Sequence, residues 1–385
     1  MDAKKIPIRV AAIFYALIML EVIIMGTPFA VYFYSFYGPM LQGLHQSPWT
    51  AWASSFFLPH SVLTSSTFLE FFRWRLGTFL FVVGMLGFFI FAVQLYSAKL
   101  RRKGVVKNFV YSYIRHPQYL CLMIAGLGLL TFWPRIVILL LYIGMIFAYF
   151  YLAKFEERRM QSKHPDYLQY LATTAMFIPG NPGAKLFQFL FGWILNRALA
   201  QIVAAVMVIS VLLAGAIGLR NLTISHVAIA RMPEKKLLAI SVFPRSEAFL
   251  REVIERAMAP DVVQQVLTKE GNVSFTAHIL PVNYGMVGMF ADLDRRREED
   301  NRPHVARFWD VKARLMGSQS DEVKVVFSRM DNPGRNFVPV DEILGVGAKM
   351  TPVVVVDLDL ATKEVRDISI PLRGNAWGDI PMPIF

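Results

Sequence analysis

Tyr113-Ile114-Arg115-His116-Pro117-Gln118-Tyr119 stands just before one apolar run, and Glu156-Glu157, followed by Tyr167 and Tyr170, closes the next. Between the clusters lie two hydrophobic stretches, residues 119–132 and 136–152, separated only by Trp133-Pro134-Arg135. Both are short for a span, which needs about 20 residues, so they suit a tight hairpin of tilted or half-buried helices. The open end of that hairpin gathers a guanidinium, an imidazole and two carboxylates at one membrane surface. Such a set can grip a polar, zwitterionic ligand beside lipid.

Three further apolar runs, at residues 10–34, 76–96 and 198–219, bring the expected spans to about five. Pro28 predicts a kink in the first. With 55% hydrophobic residues and a positive mean hydropathy, a purely soluble protein is excluded. Charge is divided sharply. Up to Leu219 there are 18 Lys+Arg against 6 Asp+Glu, and from Arg220 onward there are 22 of each. A basic excess confined to the membrane half reads as positive-inside topology and contact with anionic lipid, not nucleic acid. With the N-terminus in the cytosol, fifteen basic residues fall inside, whereas the outer loops hold Arg73, Arg75 and Arg135. An odd number of spans then places everything after Arg220 outside. In a bacterial inner membrane that side is the periplasm.

The reading is therefore an α-helical membrane domain, residues 1–219, followed by a soluble α+β or α/β domain, residues 220–385. In the second, strands are expected at 237–243, 273–280, 323–328, 352–358 and 364–370, with a helix at 246–259 capped by Ser246 and stopped by Pro260. The charge run 292–301 reads as a solvated loop. The aromatic connection 38–75, with Trp49, Trp52 and Trp74, reads as an interfacial segment. Residues 185–195 read as an amphipathic helix in the interface. Cys121 has no second cysteine to pair with. His45 and His60 lack the spacing of a metal site.

Each residue type in the two clusters has a use. Arginine presents a planar fork to a carboxylate. Pro117 fixes a helix start, and a helix N-terminus favours anionic groups. Tyr113 and Tyr119 can stack on a flat ring. Glu156 and Glu157 repel one another, and nothing in membrane insertion favours them at the end of a span. Taken alone, each cluster is also explained by a basic cytosolic loop or a solvated helix end. Together they match an amino-acid moiety with an attached base: arginine for its carboxylate, glutamate for its ammonium. Glu21 is an ionisable group inside the first apolar run, where function or a partner within the bundle is expected.

The stretch from Lys103-Gly104-Val105-Val106 through Tyr111, Tyr113, Arg115-His116-Pro117-Gln118-Tyr119, Glu156-Glu157, Pro165-Asp166-Tyr167, Tyr170 and Phe177-Ile178-Pro179 resembles the isoprenylcysteine carboxyl methyltransferase and phospholipid methyltransferase superfamily. The resemblance covers about residues 104–179. It implies a membrane-embedded methyltransferase with S-adenosylmethionine bound at the cytosolic face. His116, Tyr119, Glu156 and Glu157 would contact the cofactor, with Tyr113, Pro117 and Tyr170 beside them. Arg115 and Glu157 would serve the reacting centre. The acceptor would be hydrophobic or lipid-like, a carboxylate or an amine. Four positions depart from the family pattern. Phe109 and Cys121 stand where it has glycine, Ser112 where it has arginine, and Met176 where a basic residue is common. These departures keep a second reading open: a non-catalytic membrane scaffold or complex subunit that docks a protein partner through residues 220–385.

Overall fold

The computed structural model describes residues 5–34, 44, 47, 49–59, 62–101, 105–163, 166–281, 322–331, 337–344 and 349–371. The charge run 292–301, His45 and His60 lie outside these residues. By internal contacts the chain forms two units: Met1–Tyr37, Phe72–Trp133 and Val137–Gly215 in one, Gly38–Phe71, Pro134–Ile136 and Ala216–Phe385 in the other.

The first unit is helical. α1 is Lys5–Tyr34; α2, Thr67–Glu70, falls in the second unit and is followed through a π-helical turn at Phe71–Leu76 by α3, Gly77–Leu100. α4, Pro117–Phe132, and α5, Ile136–Lys163, form the expected hairpin. α6 is Tyr167–Thr173, α7 Pro182–Phe191 and α8 Arg197–Ser225. Three helical stretches, Thr67–Leu100, Ile136–Lys163 and Arg197–Ser225, are long and apolar enough to cross a membrane. Ile18–Phe33 and Pro117–Phe132 are shorter apolar helices. α5 runs well past residue 152, because Lys154 to Lys163 are good helix formers that extend it beyond its apolar part.

α3 and α4 pack backbone to backbone. A Cβ on Gly84 would sit 2.5 Å from the Ala125 nitrogen, and one on Gly128 would sit 2.5 Å from the Phe81 nitrogen. Only hydrogen at these positions permits the approach. The Cys121 sulfur fits because it faces Gly87, where a Cβ would come within 2.7 Å of Sγ. α1 is fixed to the hairpin by hydroxyls. Tyr32 donates to Gly126 O at 3.0 Å. Tyr149 donates to Met25 O at 3.1 Å and accepts from Phe29 N–H at 3.2 Å, the pair that an uninterrupted helix would join directly. Its hydroxyl thus bridges these two backbone groups beside Pro28. Glu21 has partners within the bundle: Lys99 Nζ, and Arg159 at 4.0 Å.

The second unit is built on a six-stranded sheet in the order β1 to β6. Its strands are β1 Ile229–Met232, β2 Leu237–Ser241, β3 Phe275–Pro281, β4 Glu322–Asp331, β5 Lys349–Asp359 and β6 Val365–Ser369. All neighbours are antiparallel except β2 and β3. That parallel pair needs a crossover, supplied by α9, Glu247–Ala257, and α10, Asp261–Lys269. Ser246 caps α9 by accepting from Phe249 N–H at 3.3 Å. Pro260 not only stops α9 but also stands at the N-cap of α10. One face of the sheet buries Leu250, Ile254, Val263 and Leu267 of the two helices.

The other face takes part of its cover from early in the chain. Val62 is 1% exposed and packs with Leu238, Ile240 and Val326. Leu63 N–H bonds Val242 O at 2.8 Å and Ser65 N–H bonds His226 O at 3.0 Å. Arg220 donates to Phe56 O and Leu344 O. Phe56, Phe57, Leu58, Val62 and Thr64 are therefore buried in this unit, which corrects the interfacial expectation for that part of the connection, while Trp49 is exposed. The hairpin turn belongs here too. Phe57 N–H bonds Pro134 O at 2.8 Å, Ile136 N–H bonds Ser55 O at 3.0 Å, and Arg135 lies 4.0 Å over the Phe56 ring.

Candidate functional site

Pro117 begins α4 at its first turn, so the residues before it lie outside the helix, His116 with φ −124° and ψ 58°. They are held by backbone pairing with the strip after α6. Arg115 N–H bonds Ala175 O at 2.9 Å, His116 N–H bonds Met176 O at 3.1 Å, and Ala175 N–H bonds Tyr113 O at 3.0 Å. Tyrosines brace this frame. Tyr170 donates to Tyr111 O at 2.5 Å, and Tyr111 donates to Phe91 O at 3.2 Å and Gln118 Oε1 at 3.3 Å. Phe109 keeps a backbone that favours glycine, with φ at 57°. The cost of that conformation for a side chain is of order 1–2 kcal/mol.

Within the frame the charged groups converge. Arg115 Nε donates to Glu157 Oε1 at 2.6 Å. One terminal nitrogen of Arg115 donates to Leu171 O and Thr174 Oγ1, each at 3.3 Å, and to Thr174 O. The Arg115 and Glu157 side chains are 8% and 10% exposed. His116 Nε2 is 3.3 Å from the same Glu157 oxygen. Its Nδ1 lies 3.5 Å from Glu156 Oε2 but makes no hydrogen bond. Tyr119 donates to Glu156 Oε1 at 2.5 Å. Burial alone would push the His116 imidazole down; its contacts with Glu156 and Glu157 outweigh that and carry it above its usual 6.5. The imidazole stacks on Tyr119, 5.5 Å between centroids and 7° between planes, and Tyr119 stacks on Tyr149 at 4.9 Å.

The two carboxylates therefore differ. Glu157 is sealed between a guanidinium and an imidazole. Glu156 is 41% exposed, with one oxygen tied to Tyr119 and the other 3.5 Å from an imidazole nitrogen that makes no hydrogen bond among the described residues. A half-open carboxylate next to an orphaned buried nitrogen and an aromatic stack fits a ligand carrying an ammonium, a further polar group and a flat ring.

The structure brings together Arg115, His116, Tyr119, Glu156 and Glu157. It places Pro117 as a buried helix start, Tyr170 as a brace and Tyr113 with its ring 68% exposed. Sequence reading missed Leu171, which acts through its backbone oxygen and leaves no residue signature, and Thr174, which acts through its backbone oxygen and Oγ1. It also missed Tyr149, for which a signal existed: Tyr149, Ala153 and Glu156 recur at helical spacing on one face of α5.

Residues 61–166 match the model of a family described as Phospholipid methyltransferase. The match contains both charged clusters and ends before α6 and the sheet. No curated protein and no solved structure matches the chain.

Proposed function

We propose, taking as premise that residues 61–166 are a phospholipid methyltransferase domain of the isoprenylcysteine and phospholipid methyltransferase superfamily, that the chain is an integral-membrane methyltransferase dependent on S-adenosylmethionine. Its acceptor is lipid-like or membrane-associated, a carboxylate or an amine. The observation that carries this is the half-open Glu156 beside the buried Arg115–Glu157–His116 set at the open end of the α4–α5 hairpin.

The cofactor, when bound, supplies a methyl group already activated on sulfonium. The chain then needs to provide orientation and a dry site. Glu156 holds a positive group of the cofactor, and His116 Nδ1 offers it a hydrogen bond. The stacked His116, Tyr119 and Tyr149 rings give the site an aromatic wall. Glu157 keeps His116 and Arg115 in register. Two of the three Arg115 nitrogens are engaged within the chain, so Arg115 is best read as a positioning residue that fixes Glu157 and the α6 end. A carboxylate acceptor needs no base. An amine acceptor loses its proton to Glu156 or His116.

The proposed topology has five spans: α1, the α2–α3 helix, α4, α5 and α8. The N-terminus and the site lie in the cytosol, and the sheet unit lies on the opposite, periplasmic side of a bacterial inner membrane. The distribution of basic residues supports this. A reporter fused after Phe385 should show export.

Calorimetry of the full chain with S-adenosylhomocysteine tests the function. Binding that is weakened by Glu156→Gln or Glu157→Gln supports it. The engaged state of Arg115 favours a second reading, a scaffold or complex subunit that retains this architecture and offers residues 220–385 to a protein partner. That reading gains if no binding is seen.

A further inference from the structure

Where α3 ends, Gln94, Ser97 and Arg101 face the incoming segment of Val105, Val106, Lys107 and Asn108 across a cleft of about 520 Å³. That volume is within the range of small-ligand sites. Its lining includes two cations and no carboxylate. The nearby Lys99 is already matched by Glu21. Neither Arg101 nor Lys107 has a carboxylate partner among the described residues; Lys107 Nζ rests 5.8 Å from the centre of the Tyr170 ring. A helix C-terminus carries about half a negative charge, so one cation would more than offset it and two leave a clear positive excess. Gln94 Nε2 donates to Asn108 Oδ1 at 3.2 Å and to Asn108 O at 3.4 Å, which leaves the Asn108 amide nitrogen as a further donor. Val105 and Val106 give the cleft an apolar side.

We infer that this cleft binds the phosphate of an anionic phospholipid, at a site separate from the methyl acceptor. Two cations with neutral donors suit a phosphodiester. An ammonium-bearing headgroup would need an acceptor carboxylate, and the lining holds none. The apolar side and the position at the end of a membrane-length helix favour a lipid over a soluble phosphate ester. The inference takes from the proposed function only that α3 spans the bilayer. Occupancy also bears on the neighbouring cluster: the segment that lines the cleft continues into Tyr111, whose carbonyl receives the Tyr170 hydroxyl. A bound headgroup would brace the frame that carries Arg115.

The test uses the full chain, purified in detergent with an equimolar mixture of phosphatidylglycerol and phosphatidylcholine. Lipid retained after washing is quantified by mass spectrometry for the natural chain and for the Arg101→Gln, Lys107→Gln double variant, both checked by thermal unfolding. The natural chain should enrich phosphatidylglycerol on the order of tenfold over the input, the scale set by two basic side chains at a lipid surface. The double variant, unfolding at the same temperature, should return to the input ratio. Equal enrichment in both proteins overturns the site. Loss of enrichment on adding millimolar inorganic phosphate or glycerophosphoglycerol overturns the lipid as its ligand in favour of a soluble phosphate. Enrichment without S-adenosylhomocysteine binding would leave this site standing and refute the methyltransferase reading.

Discussion

At the open end of the α4–α5 hairpin, Arg115 meets Glu157 at 2.6 Å with both side chains nearly buried. At the closed end, Phe57 and Ile136 donate main-chain N–H groups to Pro134 and Ser55, and Arg135 covers a phenyl ring. The first end depends on particular charged side chains held away from water. The second depends mostly on backbone atoms, which many sequences could supply. Charge buried in pairs is costly to keep and more costly to break, so side-chain identity should matter far more at the open end.

The sharpest way to break this contrast is to remove one buried charge. Arg115→Met should destabilise the full chain in detergent by about 3–5 kcal/mol, because Glu157 is left buried with only His116. Thermal unfolding measures it, and adding Glu157→Met should restore much of the loss. If the single variant melts like the natural chain, the pair is not a clamp.

Next in size is the effect on binding. Glu157→Gln should weaken S-adenosylhomocysteine by ~1–3 kcal/mol, the scale of a charged hydrogen bond. Unchanged affinity in both Glu156→Gln and Glu157→Gln would sink the site. At the closed end, Arg135→Gln should cost about 2 kcal/mol of stability, the scale of a desolvated cation–π contact, and leave that affinity alone. An equal loss of affinity would erase the distinction between the ends.

A pH series sharpens the contrast further. His116 is raised in the folded chain, so its protonated contacts with both glutamates stabilise fully below about 6.5 and fade as pH rises through the higher folded value. Unfolding temperature should therefore fall above neutrality, and His116→Gln should flatten that part of the curve. The smallest expected effect is at Phe109. Phe109→Gly should relieve backbone strain, offset by losing the ring contact to Phe91 at 6.4 Å, for a net gain under about 1 kcal/mol. A clear loss of stability would mean that the ring, not the backbone, decides that position.

What the sequence made legible was periodic or local. The apolar runs marked the helices, and Ser246 marked the start of α9. Arg-His-Pro and Glu-Glu marked the two halves of the cluster. What it hid was long-range. Nothing in the spacing of Val62 or Leu63 says that they meet Val242 and complete a sheet that lies far along the chain. Pro260 looked like a stop because a proline that ends one helix and precedes the next gives one signal for two events. β1 has four residues, too few for alternation to stand out. Arg115 and its partner Glu157 were readable as candidates, but not the Thr174 and Leu171 carbonyls, which belong to every residue type alike.

Tyr149 has a consequence for how the chain is made. Phe29 and Tyr149 lie 120 residues apart, so the hydroxyl that bridges the Met25 and Phe29 backbone groups is synthesised long after α1. The seating of α1 against the hairpin through this contact is therefore completed only once α5 has been made.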